Sequence, residues 1–516
     1  MLPILFIPIS VDAYVLPRVS LALASGGVLA GAGLVAGRRS LGALRWPALG
    51  VAAAAVVAAA LSVAPAVSLA GAYGRYESLP VRLGYLGLFC GAAWLGERRR
   101  TVAAFLFGCG IASVEALYQA ATHALPRPDG NLGNANLLGA LLAMALPLAA
   151  DRARTATPAA RRGWVALAAL LAAGLVASTS RSGWLGALLG LAVVAAFAVP
   201  RRRLWLVMVA GVAVLALAGG AVALTPLRNL NGDTGEARPE VWHDALALVA
   251  ERPLVGWGED TMGLVFGRHQ TGDWAPGHNF DRAHSMPLDL AASQGIVGLA
   301  ACVWLFGAWW FVVWRRRAEP GSPGNRGGGV RISWGGEPGV AGIAGAAAAY
   351  LAWALVNFDW APATAALWLL AGAAAGGLSN RPPRRVVADP PPPRGGRYLL
   401  GGRYLIGIAL AVSGIAVMAP AQVADILYYE GEPGRAAALD QPQPAYWAAQ
   451  GSLVGLRRAA QLGDPNPSTY VALGDAEAHA GDRAAATAAY RRALALYPFD
   501  AAALERLSAR RTAASG

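Results

Sequence analysis

Residues 225–283 separate two long apolar regions and hold Arg238, His278, Asp281 and Arg282, and His284 with Ser285 follows at once. An imidazole titrates near neutrality, so it can take a proton from a hydroxyl. A guanidinium stays charged and presents a fork of donors that matches phosphate oxygens. Three smaller polar groups lie upstream at the ends of apolar runs: Gly74, Arg75 and Tyr76; then Gly130, Asn131, Gly133, Asn134 and Asn136; then Ser178, Thr179, Ser180, Arg181, Ser182 and Gly183. Membrane proteins place polar groups beside hydrocarbon at a cost, so such crowding points to function.

The elements that must position these residues are read from periodicity. Within 225–283, Pro239 suits a first helical turn, and Val241, Trp242, Ala245, Leu246 and Val249 recur at helical spacing, which predicts an amphipathic helix ending before Pro253. A turn at Pro253 to Gly258 follows, then the polar stretch Gly277 to Ser285, which runs into an apolar span through Gly295 and Gly298. Of the 516 residues 56% are hydrophobic and 14% charged, and the mean hydropathy is +0.44, a composition that suits lipid better than water. About twelve runs suffice to cross the bilayer as helices. They are Ser20–Val35, Trp46–Ala64, Leu79–Leu95, Val102–Ala120, Asn134–Ala150, Trp164–Ala177, Trp184–Val199, Leu204–Leu224, Ile296–Trp314, Val340–Val356, Ala361–Gly377 and Tyr404–Ala419. The apolar stretch Met1–Leu16 could add a thirteenth; it carries Asp12, lacks a basic start, and is expected to be retained rather than cleaved.

The net charge of +13 comes from arginine alone, since there is no lysine. The arginines cluster in every second loop, at 38–45, 98–100, 152–162, 201–203, 315–317 and 381–385. That pattern is topological, placing those loops in the cytoplasm and the polar segments outside, and it offers no basic, aromatic-laced patch for nucleic acid. The 3 cysteines, Cys90, Cys109 and Cys302, sit in apolar runs and imply neither disulfide nor metal. Glu115, inside an apolar span, should face the interior. The linker 321–339 and the proline run 390–393 read as loops. The expected division is therefore 1–224 for the first spans, 225–283 for a large external loop, 284–420 for the remaining spans, and 421–516 for an external helical tail. In that tail Tyr470, Leu473, Gly474, Ala478, Ala486, Tyr490, Ala493, Leu494 and Pro498 follow the spacing of a tetratricopeptide repeat. One such unit buries its face poorly alone, so the tail should dock on the membrane region or bind a protein partner.

Arg238 to Leu299 resembles the shared domain of O-antigen ligases, O-antigen polymerases and bacterial protein O-oligosaccharyltransferases. Their His-Asn/Ser then Gly-x-x-Gly signature is matched by His284, Ser285, Gly295 and Gly298, and the Asn131 and Arg181 segments look like further family motifs. The resemblance implies a polytopic all-α protein that moves a glycan from undecaprenyl diphosphate to an acceptor hydroxyl on the outer face of the inner membrane, without metal or ATP. It makes His284 the base and Arg181 and Arg238 the diphosphate ligands, with Arg282, Arg75, His278 and Asn134 as further contacts. Acceptors across the family would be a lipid A core sugar, a second lipid-linked repeat unit, or a protein hydroxyl. Plainer roles compete: Arg181 as an interfacial anchor, Arg238 paired with Glu236 or Glu240, Asp281 paired with Arg282, His278 as loop polarity, and the asparagines as helix caps. A metal-dependent enzyme would want an acidic first external loop, which here offers only Glu77. A transporter for the same lipid would want an inverted repeat with broken helices near mid-membrane.

Overall fold

A computed structural model describes residues 3–37, 40–225, 237–277, 279–316, 339–376 and 394–515. Its regular elements are helices, with no strand among the described residues. In the membrane region they are α1 (Val15–Ala36), α2 (Arg45–Ala60), the short α3 (Pro65–Ala70), α4 (Leu79–Leu95), α5 (Arg98–Ala121), α6 (Ala135–Thr155), α7 (Pro158–Ala177), α8 (Arg181–Ala198) and α9 (Leu204–Leu224). The large loop carries α10 (Arg238–Glu251) and α11 (Met262–Val265). Then come α12 (Met286–Arg316), α13 (Val340–Ala354), α14 (Ala361–Ala375) and α15 (Arg394–Tyr429), and the tail is α16 (Pro433–Leu439), α17 (Pro444–Ala448), α18 (Leu453–Leu462), α19 (Pro467–His479), α20 (Arg483–Leu496) and α21 (Ala501–Ser515).

Nine described helices are long and apolar enough to cross a membrane, and the shorter apolar α4, α13 and α14 account for the other expected spans. The protein is a polytopic α-helical membrane protein. Residues 3–14 form turns rather than a thirteenth helix, and Ser10 and the Asp12 amide donate to the Asp425 carboxylate. The linker 321–338 and the 381–393 segment fall outside the described residues. The last span and the tail are continuous: α15 accommodates Pro420 and runs on to Tyr429, so the expected 420/421 boundary falls inside a helix.

Local sequence sets several helix starts. Asn134 caps α6, its side chain accepting from the amides of Asn136 at 2.8 Å and Leu137 at 3.2 Å, and Ser180 caps α8 through the Gly183 amide. Proline occupies the first turn of α3, α4, α7, α10 and α14. In lipid no hydrophobic force draws helices together, so small residues let backbones approach and gain van der Waals contact. A Cβ on Gly26 of α1 would stand 2.2 Å from the Gly84 carbonyl oxygen of α4. α1 is flanked by α4 and α15, while α6, α8 and α13 form the centre of a second group. α9 lies outermost against α8, with Trp205, Met208 and Leu217 exposed to what would be lipid.

α12 is broken at Gly295, whose φ of 67° and ψ of −172° suit glycine alone. The backbone groups released there are taken up by the loop turn that the sequence placed at Pro253–Gly258. Ile296 donates to Pro253 O at 2.7 Å, Trp257 to Ala292 O at 2.8 Å and Gly258 to Ser293 O at 2.9 Å. Lipid-exposed backbone could not satisfy these groups, so the turn must plug the break.

The tail docks on the large loop. Tyr470, Tyr490 and Leu496 share a buried cluster with Trp257, Leu264 and Phe266. Tyr497 Oη accepts from the Gly277 amide at 2.8 Å and donates to Asp273 at 2.9 Å, and Asn279 donates to Pro465 O at 2.8 Å. Within the tail α19 pairs with α20, and Gly474 lies under the Tyr490 ring.

A Cβ at position 295 would lie 2.2 Å from the carbonyl of Leu254. Gly295→Ala should therefore lower the thermal unfolding temperature of the detergent-solubilised protein, by an amount equivalent to at least ~1–3 kcal/mol from backbone strain alone. An unchanged melting curve would sink this account of the break.

Candidate active site

The polar segments separated in sequence meet at one end of the helix bundle. Their meeting point is a short connector between α13 and α14, Asn357-Phe358-Asp359-Trp360, whose residues together reach several of these segments. Asn357 O accepts from the Met286 amide at 2.8 Å, and Asn357 Nδ2 donates to Ser182 Oγ at 3.1 Å. One residue thus ties the start of α12, just after His284, through its backbone carbonyl, to the first turn of α8 that begins with Arg181, through its side chain. The His284 ring meets Phe358 edge-on at 5.2 Å. The Arg75 guanidinium stands 4.7 Å above the Phe358 ring and 5.5 Å from that of Trp360.

Ala283, the residue before His284, is held at both its amide and its carbonyl. The Ala283 amide donates to Asp289 Oδ1 at 2.6 Å, and the Ala283 carbonyl accepts from Trp242 Nε1 at 2.9 Å. His284 itself has a left-handed φ of 53°. Tyr76, His123, Asn131, Thr179 and Asp260 share that backbone conformation, and they are the other described non-glycine residues that do. All lie in segments on this side of the bundle, where such strain marks functional sites more often than scaffolding.

The arginines divide into two groups. Arg82 on α4 is surrounded by Asp359 at 2.7 Å, Glu259 at 3.4 Å and Glu77 at 3.6 Å. Arg282, nearly buried, pairs with Asp260, and the same carboxylate accepts the Ala72 and Glu77 amides at 2.6 and 3.2 Å. Arg75 pairs with Asp281 at 2.6 Å. The expected Asp281–Arg282 side-chain pair therefore does not form, because each has a partner from another segment; Arg282 reaches only the Asp281 backbone carbonyl, at 2.8 Å. Arg181 opens α8 and Arg238 opens α10. Arg238 stands one turn before Trp242 on the same helix face, and Trp242 holds Ala283. Asn134 spends its side-chain oxygen on the α6 cap. His278 lies outside the described residues.

Burial raises the Glu77 carboxyl to about 7 despite Arg82 beside it. Burial likewise raises Glu259, against the pull of Arg82 and of Gln294, whose amide donates at 2.5 Å. Burial would also raise Asp281, but the guanidiniums of Arg75 and Arg282 outweigh it and hold the carboxyl below its ordinary range. Among the described residues no three His, Cys, Asp or Glu side chains stand together in a metal-binding arrangement.

The residues that sequence reasoning missed are Arg82, Glu259, Asp260, Asp289, the 357–360 connector and Arg127. Arg127 donates to Asn136 at 2.9 Å and to Thr179 at 3.3 Å, joining the second and third polar segments. A signal existed in two places: charged and amide residues break alanine-rich sequence at 357–360, and Glu259-Asp260 closes the glycine-rich turn.

A family model described as O-Antigen ligase matches residues 166–303. This segment belongs to the O-antigen ligase superfamily. It runs from within α7 into α12 and includes Arg181, Arg238, Arg282, His284, Gly295 and Gly298, while Arg75, Asn134 and the tail lie outside it. No curated protein matches the chain. The O-antigen ligase segment implies an enzyme of ligase or polymerase type, moving a glycan from a lipid-linked donor to an acceptor in the membrane.

Two measurements check the charge network. Arg82→Met would leave buried carboxylates without their cation and should cost roughly 3–5 kcal/mol in unfolding free energy, read from denaturant melts. Glu77 binds its proton more tightly folded than unfolded, so its stabilising contribution is full below pH 4.5 and lost as pH rises through about 7. Glu77→Gln should therefore flatten the fall in melting temperature between pH 5 and 7.5, and an identical fall in both proteins would contradict the assignment.

Proposed function

We propose that this protein transfers a glycan from undecaprenyl diphosphate to an acceptor hydroxyl on the outer, periplasmic face of the inner membrane. The observation that carries the reading is the joining, through Asn357 and Phe358, of the Arg181 and His284 segments that the family match contains. His284 accepts the acceptor's hydroxyl proton as the oxygen attacks the anomeric carbon. The bond from that carbon to the diphosphate oxygen breaks, and the lipid diphosphate leaves with the electron pair. Arg181 and Arg238 hold the charge that grows on it.

Trp360 joins the expected Arg75 in this proposal, since the Arg75 guanidinium lies over its ring. Trp360 Nε1 is buried without a hydrogen-bond partner among the described residues, a donor suited to a substrate oxygen. Arg282, locked on Asp260, acts as a positioning residue for the loop, and Asn134 does the same through its cap. Below the site a cavity lined mainly by apolar side chains, Leu86, Met286, Leu290, Phe306, Leu367 and Trp368 among them, has Arg82 and Asp359 in its wall. A lipid A core sugar, a second lipid-linked unit, or a protein hydroxyl recruited through the tail would use the same atoms as acceptor.

The test is release of undecaprenyl diphosphate from a lipid-linked glycan by reconstituted protein supplied with mixed acceptors. Release should require acceptor and persist in EDTA. It should fall at least ~100-fold in His284→Ala, the scale of a lost general base, with large losses in Arg181→Ala and Arg238→Ala. Lipid movement across the bilayer without release would replace this reading with transport.

A further inference from the structure

The tail does more than cover the loop: where they meet, they leave a hollow of about 500 Å³. It is a cleft partly open to solvent, and its volume falls in the range of small-molecule sites. Its walls come from parts of the chain far apart in sequence. Val63 to Ala66 precede and begin α3, Leu264, Val265 and Arg268 belong to the large loop, Ala460 to Gly463 end α18, and Tyr470 and Arg492 come from α19 and α20.

The chemistry of the lining is one-sided. Arg268 and Arg492 face the hollow, with Gln461 and Tyr470 as further polar groups, and no carboxylate is among the lining residues. Both guanidiniums are held by aromatic rings rather than by acids. Arg268 lies 5.1 Å from the Trp257 ring centroid and Arg492 lies 5.8 Å from that of Tyr470. Arg492 also reaches the Leu264 carbonyl at 3.5 Å. A guanidinium stacked on a ring keeps its donor edge for an anion. The wall toward the active site is thin: Gly263, next to Leu264, lies against Asp281, the partner of Arg75.

We infer that this hollow is a second binding site, taking an acidic saccharide through Arg268 and Arg492. Resting on the glycan-transfer reading, its occupant is a carboxylate-bearing sugar of a glycan chain, held beside the site while the reacting end lies at His284. The paired arginines recognise the carboxylates, and Gln461 and Tyr470 accept and donate to ring hydroxyls.

The experiment is calorimetric titration of the full chain in detergent with trigalacturonate, with maltotriose and inorganic phosphate as separate titrants. Trigalacturonate should bind, and maltotriose and phosphate should each bind at least tenfold more weakly. Arg268→Gln and Arg492→Gln should each weaken trigalacturonate at least tenfold. Because Arg268 is exposed, its variant should melt like wild type even if Arg492→Gln loosens the tail. Wild-type affinity in Arg268→Gln, equal binding of maltotriose or phosphate, or no binding to wild type would each overturn the proposal. Those outcomes with undecaprenyl diphosphate release intact would remove this site and leave glycosyl transfer standing.

Discussion

One largely enclosed cation, Arg82, organises one end of this bundle. It projects from α4, mostly covered, and three carboxylates converge on it from the first loop, the large loop and the α13–α14 connector. Removing a charge from water costs several kcal/mol unless partners surround it, so Arg82 ties these three segments together. Asp359, one of the three, also accepts from Tyr350 at 2.8 Å, which anchors the network in the helix core. Phe358 and Trp360, its chain neighbours, then have little freedom, and through them Arg75 and His284 are held.

The second constraint is the break at Gly295. A continuous helix there would offer no unpaired backbone groups, and the Pro253–Gly258 turn would have nowhere to bond. With the break, the turn is drawn in against α12 and carries Glu259 and Asp260 to Arg82 and Arg282. The left-handed residues Tyr76, Asn131, Thr179, Asp260 and His284 fit this picture. Their backbones are strained, and that strain persists because helices and ion pairs on either side over-determine the loops.

The tail adds a third layer. Its aromatic residues complete the loop's hydrophobic cluster, and Asn279 and Tyr497 stitch the stretch before His284 to it. The tail thereby supports the loop that carries His284. Gly474 packs under the Tyr490 ring where α19 and α20 meet, and the aromatic face of the tail is covered by the loop.

The sequence alone determined the number and place of the spans, because an apolar run of helical length has one stable state in lipid. It also marked the polar segments, the helix from Pro239 and the turn at Pro253, since caps, prolines and glycines act locally. The cap at Asn134 was legible for the same reason. The partners of the charges were decided only by tertiary structure. Asp281 lies next to Arg282 in the chain yet pairs with Arg75, and Arg282 pairs with Asp260 twenty-two positions away. Adjacent side chains on an extended loop point apart, while folding brings distant loops within 3 Å, where desolvation makes the choice of partner steep. The role of 357–360 was hidden for that reason: four residues between two alanine-rich helices acquire meaning only when the helices set them at the meeting point of the other segments.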